Sequence, residues 1–303
     1  MPDSHTQQDA ASVAAELIAV IVAVTDGEPR VLTIEAGHAL PSGPFEFGHR
    51  SLQAGLRSWV ERQTHHPLGY VEQLYTFADR DRTDSAAERV VSISYLGLTR
   101  EARLAREPGA GWLSWYRFFP WEDCRGPAVA MAGEQLVPLL RAWAGTKRDR
   151  MHRLAVNFGQ DGQRWNEEFV LQRYELMWEA GLVPEAGGAA TIPGQPMAHD
   201  HRRILATGIA RLRAKIKYRP VVFELMPPSF TLLQLQRTVE ALAGRLLHKQ
   251  NFRRLIDQQD LVEETGEMAT ETGGRPAKLF RFRREILAER AVIGTKLPLV
   301  RAV

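Results

Sequence analysis

The chain has 303 residues, of which 44% are hydrophobic and 25% charged, a balance typical of a globular protein with about two domains. The formal net charge is only +3 and Cys124 is the single cysteine, which excludes an intrachain disulfide and a cysteine-based zinc site. One thiol fits a reducing cytoplasm. The apolar run at residues 17–24 is too short to span a membrane and lacks the basic leader of a signal peptide.

The first hundred residues predict an α+β domain with one helix among several strands. Runs rich in Val and Ile indicate buried strands, and Asp26-Gly27 is a favourable hairpin turn between the first two. Apolar residues recurring at helical spacing predict a helix over residues 51–63. The strands are predicted at residues 17–24, 31–34, 71–77 and 90–98.

Residues 108–128 carry an unusual concentration of aromatic side chains, interrupted by Pro120 and Pro127. Packing into the core of the first domain is the favoured interpretation, and a ligand or dimer surface is the alternative. Helices are predicted next at residues 133–145 and 165–180, before a Gly- and Pro-rich linker or exposed loop at 181–198. The aromatic residues are Trp112, Trp115, Tyr116, Phe118, Phe119 and Trp121.

A basic helix is predicted over residues 200–217, where the proline of Tyr218-Arg219-Pro220 ends it. Its apolar residues share one face, and most of its arginines and lysines lie elsewhere. Basic residues are dense over residues 202–254, which indicates either a phosphate-binding surface or a solvated helix face. Because this helix stands between two predicted domains, we expect it to carry dimer contacts.

The C-terminal segment predicts a helix-turn-helix. A first helix over residues 231–243 is closed by Gly244, and a second follows near residues 249–258. Apolar residues of the second helix point one way and its polar residues point the other. Arginine can pair with guanine, and asparagine or glutamine with adenine, in the major groove. The candidate DNA-facing residues of this helix are Lys249, Gln250, Asn251, Arg253 and Arg254.

A hairpin with a polar, basic tip follows the second helix. Strands are predicted at residues 261–264 and 278–283, with the tip at residues 272–276. This is the arrangement of a winged helix, and Arg275 and Lys278 are predicted to contact phosphate or the minor groove. A small α/β domain that binds protein rather than DNA is the alternative.

Both ends of the chain resemble the Nudix-related transcriptional regulators of the NrtR family. The resemblance rests on YVEQLYTFADRDR and RVVSISYLGL near the start, and on FTLLQLQRTVEALAG, HKQNFRRLI and GGRPAKLFRF near the end. The middle, including GWLSWYRFFPWEDCR, is longer than in the usual members and resembles the NadQ-type repressors of proteobacteria. The family implies an α+β fold: an N-terminal Nudix-like α/β/α sandwich, here with a helical insertion, and a C-terminal winged helix-turn-helix.

The Nudix pattern itself is degenerate in this sequence. Nudix hydrolases hold Mg²⁺ with a string of glutamates in a loop and helix. Starting the pattern at Gly43, only the arginine and one glutamate match, at Arg57 and Glu61. We therefore predict no hydrolase activity and no metal site, with an active Nudix pyrophosphatase as the alternative. The non-matching positions are His49 and Ser58 and Arg62, where glutamates are expected, and Thr64, where glycine is expected.

Two histidine pairs, His65-His66 and His199 with His201, are the alternative positions for a metal site, although adjacent histidines point in different directions. The resemblance implies a nucleotide pocket, and strand alternation would place three side chains on one strand face to contact the nucleotide. An arginine in the following loop could pair with a pyrophosphate. Core packing is the alternative for the aromatic members. The predicted ligand residues are Gln73, Tyr75, Phe77, Asp79, Arg80 and Arg82.

Together these features predict a nucleotide-responsive regulator, a repressor of NAD biosynthesis genes by resemblance. The expected effector is ADP-ribose, NAD or ATP, with no required cofactor and no catalytic residue. The expected partner is a palindromic double-stranded DNA operator bound by a homodimer. A nucleotide-sensing scaffold whose winged helix binds protein is a further alternative. The predicted domains are 13–180, a linker and connecting helix at 181–220, and 221–290.

Overall fold

The computed structural model describes residues 13–79, 89–101, 109–126, 131–188, 192–269 and 276–283. Within them, a six-stranded mixed sheet forms the centre of the N-terminal domain, with strand order β4-β5-β1-β2-β6 and β3 paired to β1 outside this path. The strands are β1 Val13–Thr25, β2 Glu28–Thr33, β3 Ser42–Pro44, β4 Tyr70–Phe77, β5 Arg89–Leu98 and β6 Gly111–Ser114.

Strand β1 is buried on both faces of the sheet, which explains its nearly continuous apolar run. It runs parallel to β5, with Val13 opposite Arg89 and Val22 opposite Leu98, and antiparallel to β2 and β3. Its odd-numbered residues pack against helix α1, Leu52–Thr64. Its even-numbered residues face the larger core on the other side of the sheet.

The second face of the sheet is covered by helices that follow the aromatic segment. They are α2 Val137–Ala144, preceded by a π-helical turn at Ala132–Leu136, then α3 Arg148–Phe158, α4 Val170–Glu179 and α5 His201–Lys215. The domain is therefore a sandwich with helices on both faces of the sheet. None of the helices in the described residues is long and apolar enough to cross a membrane.

The aromatic segment is part of the core, as favoured from the sequence. Trp115, Phe118, Phe119 and Trp121 have no exposed surface. Phe119 and Trp121 meet edge to face, with ring centroids 6.0 Å apart. These large side chains fill the space between the sheet and α4, so the segment supports the helical layer.

Helix α5 lies on the sheet and differs from the connecting helix expected from the sequence. A Cβ on Gly208 would stand 2.8 Å from Cγ1 of Val20, so the helix approaches β1 closely. The expectation that its basic residues form a solvated or phosphate-binding face is wrong for Arg202, Arg213 and Lys215, which are buried. Most faces of α5 are covered by this chain itself, which leaves little of it for dimer contacts.

The C-terminal domain consists of two helices and a hairpin in the described residues. The helices are α6 Leu232–Ala243 and α7 Lys249–Gln259, and the hairpin strands are β7 Val262–Ala269 and β8 Ala277–Phe282. Thr231 begins α6 with a capping box to Gln234, and Gly244 ends it in the left-handed conformation at φ +69°. Phe230 adds a bridge to Phe280. This order of elements is that of a winged helix.

Candidate nucleic-acid interface and nucleotide site

Helix α7 presents an apolar face to its own domain and a polar face to solvent. Phe252 and Ile256 are buried, and Leu255 is partly buried. Residues three and four apart share a face of a helix, so these three side chains hold α7 against α6. The polar face is thereby directed outward, as a recognition helix requires.

All five residues predicted to read DNA from α7 lie on its exposed surface. None of them forms an ion pair with a described acidic side chain, so the two arginines and the lysine are available to bind an external partner. The structure thus brings together donors suited to guanine and amides suited to adenine. The five residues are Lys249, Gln250, Asn251, Arg253 and Arg254.

The turn between α6 and α7 is fixed by two buried polar residues that the sequence analysis missed. The Glu240 carboxylate accepts the backbone N–H of Leu247 at 2.8 Å and the Gln236 amide at 2.9 Å. The Gln236 amide also donates to the Leu247 carbonyl at 3.1 Å. Because the backbone of the turn is bonded on both its donor and acceptor sides, α7 is held at a fixed angle to α6. In the sequence, the only indication of this contact is that Gln236 and Glu240 are four residues apart and so share a face of α6.

Two basic residues of the hairpin are paired with acidic residues of the opposite strand. Lys278 Nζ lies 2.8 Å from Glu264 Oε1 across the two strands, and Arg281 Nε lies 2.6 Å from Glu263 Oε1. Such exposed ion pairs contribute little free energy. Lys278 can therefore leave Glu264 for a DNA phosphate at a small free-energy cost. The predicted tip residue Arg275 lies outside the described residues.

The predicted ligand residues of β4 do not share one face. A bulge between Gln73 and Tyr75 places Gln73 opposite Tyr95, whereas Tyr75 is opposite Ser94. Since neighbouring residues of a strand point to opposite faces, Gln73 lies on the α1 side of the sheet, and the expectation of a common face is wrong for it. Tyr75 and Phe77 lie together on the α5 side, with ring centroids 5.0 Å apart.

Only Tyr75 of these two aromatic residues is open to solvent. Its exposed fraction is 58%, whereas that of Phe77 is 5%, so Phe77 follows the core-packing alternative. The Arg203 guanidinium of α5 stands 4.8 Å from the centroid of the Phe77 ring. Tyr75 is therefore the aromatic side chain of this strand that is available to stack on a base.

Asp79, another predicted ligand residue, contacts α5 directly. Arg203 donates to Asp79 Oδ2 at 2.6 Å and to Asp200 Oδ2 at 3.0 Å, and it is also bonded to Glu175. The other two predicted loop residues, Arg80 and Arg82, lie outside the described residues. Arg203 could not be assigned to this strand edge from the sequence, because it belongs to the basic helix α5 and reaches Asp79 across 124 residues.

A polar row continues from Phe77 across the sheet on the α5 side. Ser92 is opposite Phe77 on one side and opposite Glu16 on the other. Burial raises the pKa of the Glu16 carboxyl, although hydrogen bonding to Ser42 and the nearby His199 act in the opposite direction. A partly buried carboxyl with a raised pKa near the start of β1 is a candidate for ligand contact. Its place at the start of an apolar run concealed it in the sequence.

The segment that carries the degenerate Nudix pattern is packed by aromatic residues. The ring of His49, at the first glutamate position, stacks on Phe45 at 5.9 Å and meets Trp59 edge-on at 6.5 Å. Its Nδ1 accepts the backbone N–H of Glu46 at 3.0 Å. A Cβ on Gly43 would stand 2.3 Å from the Trp59 ring. His49 and Trp59 therefore hold the loop and helix together.

The outer face of α1 lines an open surface cavity that bears more positive than negative charge. Arg57 donates to the carbonyls of Leu68 and Gly69, and the Arg62 guanidinium lies 4.1 Å above the Trp59 ring. Glu61 is the acidic residue of this face. The cavity lining is Ala54, Arg57, Ser58, Glu61, Arg62 and His65.

The histidines considered as metal ligands are engaged in the fold. His66 Nε2 lies 3.0 Å from Thr99 Oγ1, and His201 Nδ1 accepts the backbone N–H of Leu40 at 3.0 Å. Burial, with a contribution from His199, lowers the pKa of His201 to about 4. In the part of the chain that the structure describes, no group of three or more His, Cys, Asp or Glu side chains could hold a metal ion.

The C-terminal domain matches a known family of domains. Residues 222–282 match the family model described as the NrtR DNA-binding winged helix domain. The chain is 42% identical over 86 residues to a protein of Acinetobacter baylyi named "ADPR responsive transcriptional repressor NtrR". That match covers 28% of this chain and 34% of the relative, so the chain spans about a third of the length of this curated protein.

Solved structures resemble the chain over both domains. A structure of Shewanella oneidensis NrtR complexed with a 27mer DNA has a TM-score of 0.56 and 21% identity, covering 89% of this chain and 93% of that one. A MutT/nudix family protein from Enterococcus faecalis has a TM-score of 0.52 and 16% identity, covering 93% and 89%. The predicted fold, a Nudix-like domain followed by a winged helix, is confirmed, and so is the resemblance to NrtR-like regulators.

Proposed function

We propose that this protein is a nucleotide-responsive transcriptional repressor that binds DNA through α7. The observation that carries the proposal is the exposed face of α7, where arginines, a lysine and two amides have no acidic partner among the described residues. A winged helix uses such a face to read base edges. The match to a protein named as a repressor also supports the proposal, with 42% identity over 86 residues.

The Nudix-like domain is the proposed sensor, and ADP-ribose is the proposed effector, with NAD and ATP as the other candidates. Tyr75 offers an exposed ring for a base, and Arg203 offers a guanidinium suited to phosphate oxygens. The name of the Acinetobacter protein states that it responds to ADPR. Gln73, also predicted as a ligand residue, lies on the other face of the sheet and is left out of the proposed site.

We further propose that the domain senses its nucleotide without hydrolysing it and needs no cofactor. Arg62 occupies a position where a Nudix hydrolase has a glutamate, and a cation there disfavours a bound Mg²⁺. His49, at another glutamate position, is turned to packing against Phe45 and Trp59. An active pyrophosphatase is the competing function, and Glu61 is the acid that would carry it.

The proposed setting is a homodimer on a palindromic operator of NAD biosynthesis genes in the cytoplasm. The test is a gel shift on the promoter of an NAD-synthesis operon of the same genome, with and without ADP-ribose, NAD or ATP. We expect a specific complex that one of these nucleotides dissociates. A scrambled fragment is the control, and equal binding to both fragments would overturn the proposal.

A further inference from the structure

The N-terminal domain supplies hydrogen-bond donors to the end of helix α6 in the DNA-binding domain. The last carbonyls of a helix have no partner within it. Here the Tyr116 hydroxyl donates to the Ala241 carbonyl at 2.6 Å, and Arg213 Nε donates to the Leu242 carbonyl at 2.8 Å. All four residues are buried. Separation of the two domains would therefore break both hydrogen bonds.

The two domains also approach each other too closely for any side chain at the end of α6. A Cβ on Gly244 would stand 2.3 Å from the backbone oxygen of Glu122 and 2.9 Å from Arg213 Nη2. This contact and the two hydrogen bonds define a joint between the domains. We call the set of Tyr116, Glu122, Arg213 and Gly244 the α6 joint.

A buried carboxylate holds the arginine of the α6 joint in place. Arg213 Nη1 lies 2.6 Å from Glu122 Oε2, and Arg173 Nε lies 2.6 Å from Glu122 Oε1. The three side chains have no exposed surface. Because both oxygens of Glu122 are engaged by a planar guanidinium, Arg213 has little freedom to reorient without a movement of α5 itself.

The other end of α5 contacts the strand edge that bears the predicted ligand residues. Arg203 is ten residues before Arg213, a separation of about 15 Å along a helix. It is bonded to Asp79 beyond the end of β4 and lies against Phe77. Between these ends α5 packs on β1 at Gly208. One continuous helix thus touches the proposed nucleotide site and the DNA-binding domain.

We propose that α5 couples the two sites, with Arg203 as the positioning residue at the sensor end and the α6 joint at the output end. This inference rests on the proposed function. A diphosphate beside Asp79 would attract Arg203 and repel the carboxylates that hold it. Arg203 then exchanges a carboxylate for a phosphate, α5 shifts, and Arg213 carries α6 and its recognition helix with it. Coupling of this kind requires that the effector binds one arrangement better than the other.

The test compares operator affinity with and without saturating ADP-ribose in four full-length proteins. They are the wild type, Arg203→Gln, Tyr116→Phe and the control Arg211→Gln, an exposed arginine of the same helix. The measured quantity is the ratio of the two operator dissociation constants. We expect a ratio at least about tenfold in the wild type and the control, within the usual range of coupling energies. In Arg203→Gln and Tyr116→Phe we expect it to fall at least about threefold.

The ratio distinguishes coupling from a general loss of structure. A merely structural role would weaken operator binding equally with and without ADP-ribose and leave the ratio unchanged, which would overturn the inference. Tyr116→Phe removes only one hydroxyl, so it decides the matter if Arg203→Gln does not fold. By reciprocity, operator DNA should change the ADP-ribose affinity by the same factor, measured by calorimetry. A wild-type ratio of one with specific operator binding would instead overturn the effector part of the proposed function, and the coupling with it.

Discussion

A few buried charged side chains join segments that are distant in sequence. Burial alone would raise the pKa of Glu122, but the guanidinium groups of Arg173 and Arg213 lower it below the ordinary carboxyl value. Arg202 is likewise buried, bonded to the Phe118 carbonyl at 2.6 Å. Buried charges of this kind are costly unless fully paired. The pairing of Glu122 with Arg173 and Arg213 fixes the aromatic segment, α4 and α5 relative to one another.

His201 predicts a measurable pH dependence of stability. Burial lowers its pKa from 6.5 to about 4 in the folded protein. The unfolded state therefore takes up a proton below pH 6.5, while the folded state does so only near pH 4. The free energy of unfolding should fall by about 3 kcal/mol as the pH drops through this window. His201→Asn should not show this fall.

Urea unfolding of the wild type and His201→Asn, at pH about 7 and about 4.5, measures this effect. Asparagine keeps an acceptor for the Leu40 N–H but does not titrate. We expect the stability difference to shift in favour of the variant at the lower pH. The control is His152→Asn, an exposed histidine on α3, for which no such shift is expected. Parallel pH profiles of His201→Asn and the wild type would contradict the assignment.

Arg254 tests the recognition face residue by residue. A specific arginine contact to a base contributes about 1–3 kcal/mol, so Arg254→Ala should weaken operator binding by at least about fivefold. Arg148→Ala removes an equally exposed arginine from α3, in the other domain, and should leave the affinity unchanged. Fluorescence anisotropy with labelled operator measures both. Equal affinities of the two variants would show that α7 does not read DNA in this way.

At the scale of elements, α6 is the helix through which the C-terminal domain is held. It is capped at its start by its own Thr231 and Gln234, and at its end by residues of the other domain. It also fixes the turn to α7 through Glu240. The position of α7 is thus set by contacts that begin in the N-terminal domain.

Gly244→Ala should be far more destabilising than an ordinary glycine substitution in the same conformation. Both Gly244 and Gly187 have left-handed backbones, at φ +69° and +72°, but a Cβ on Gly187 meets nothing within 4 Å. Gly187→Ala should therefore cost about 1 kcal/mol from conformation alone. Gly244→Ala adds the clash with Glu122 and should exceed it by at least about 2 kcal/mol. Thermal unfolding measures both, and equal losses would refute the close approach of the domains.

Element by element, local patterns predicted much of this fold, and long-range contacts account for what they missed. The apolar periodicity of α1, α6 and α7 was sufficient to place them, because each buries one face. Helix α3 was missed although Leu154 and Phe158 have helical spacing, since its many charged residues obscured the pattern. The bulge after Gln73 is set by pairing with β5, and no local pattern reveals it.

Some residues of the candidate sites could be predicted from local sequence patterns, and others depend on long-range contacts. The exposed residues of α7 follow from helical periodicity, which specifies the face opposite Phe252 and Ile256. Arg203 and Glu16 could not be found in this way, because both depend on contacts distant in sequence. Arg203 reaches Asp79 after β4, and Glu16 lies opposite Ser92 of β5. Arg213 was counted with a basic surface, and its burial depends on Glu122, 91 residues away.

For the whole molecule, the proposed sensing role predicts binding of ADP-ribose without turnover. With Mg²⁺ or Mn²⁺ present, we expect no release of AMP or ribose phosphate from ADP-ribose above a blank, measured by chromatography. The reason is the loss of acidic ligands at His49, Ser58 and Arg62. Turnover abolished by Glu61→Gln, with turnover retained in the matched control Glu134→Gln on the π-helical turn, would instead establish the pyrophosphatase.

The central claim is that the C-terminal domain binds a specific DNA sequence. The most direct measurement is the affinity of the full chain for a promoter fragment of an NAD-synthesis operon and for a scrambled fragment, across a salt series. We predict at least about hundredfold tighter binding to the promoter and a steep loss of affinity with salt, since phosphate contacts release counterions. Equal affinity for both fragments, or binding insensitive to salt, would contradict the account.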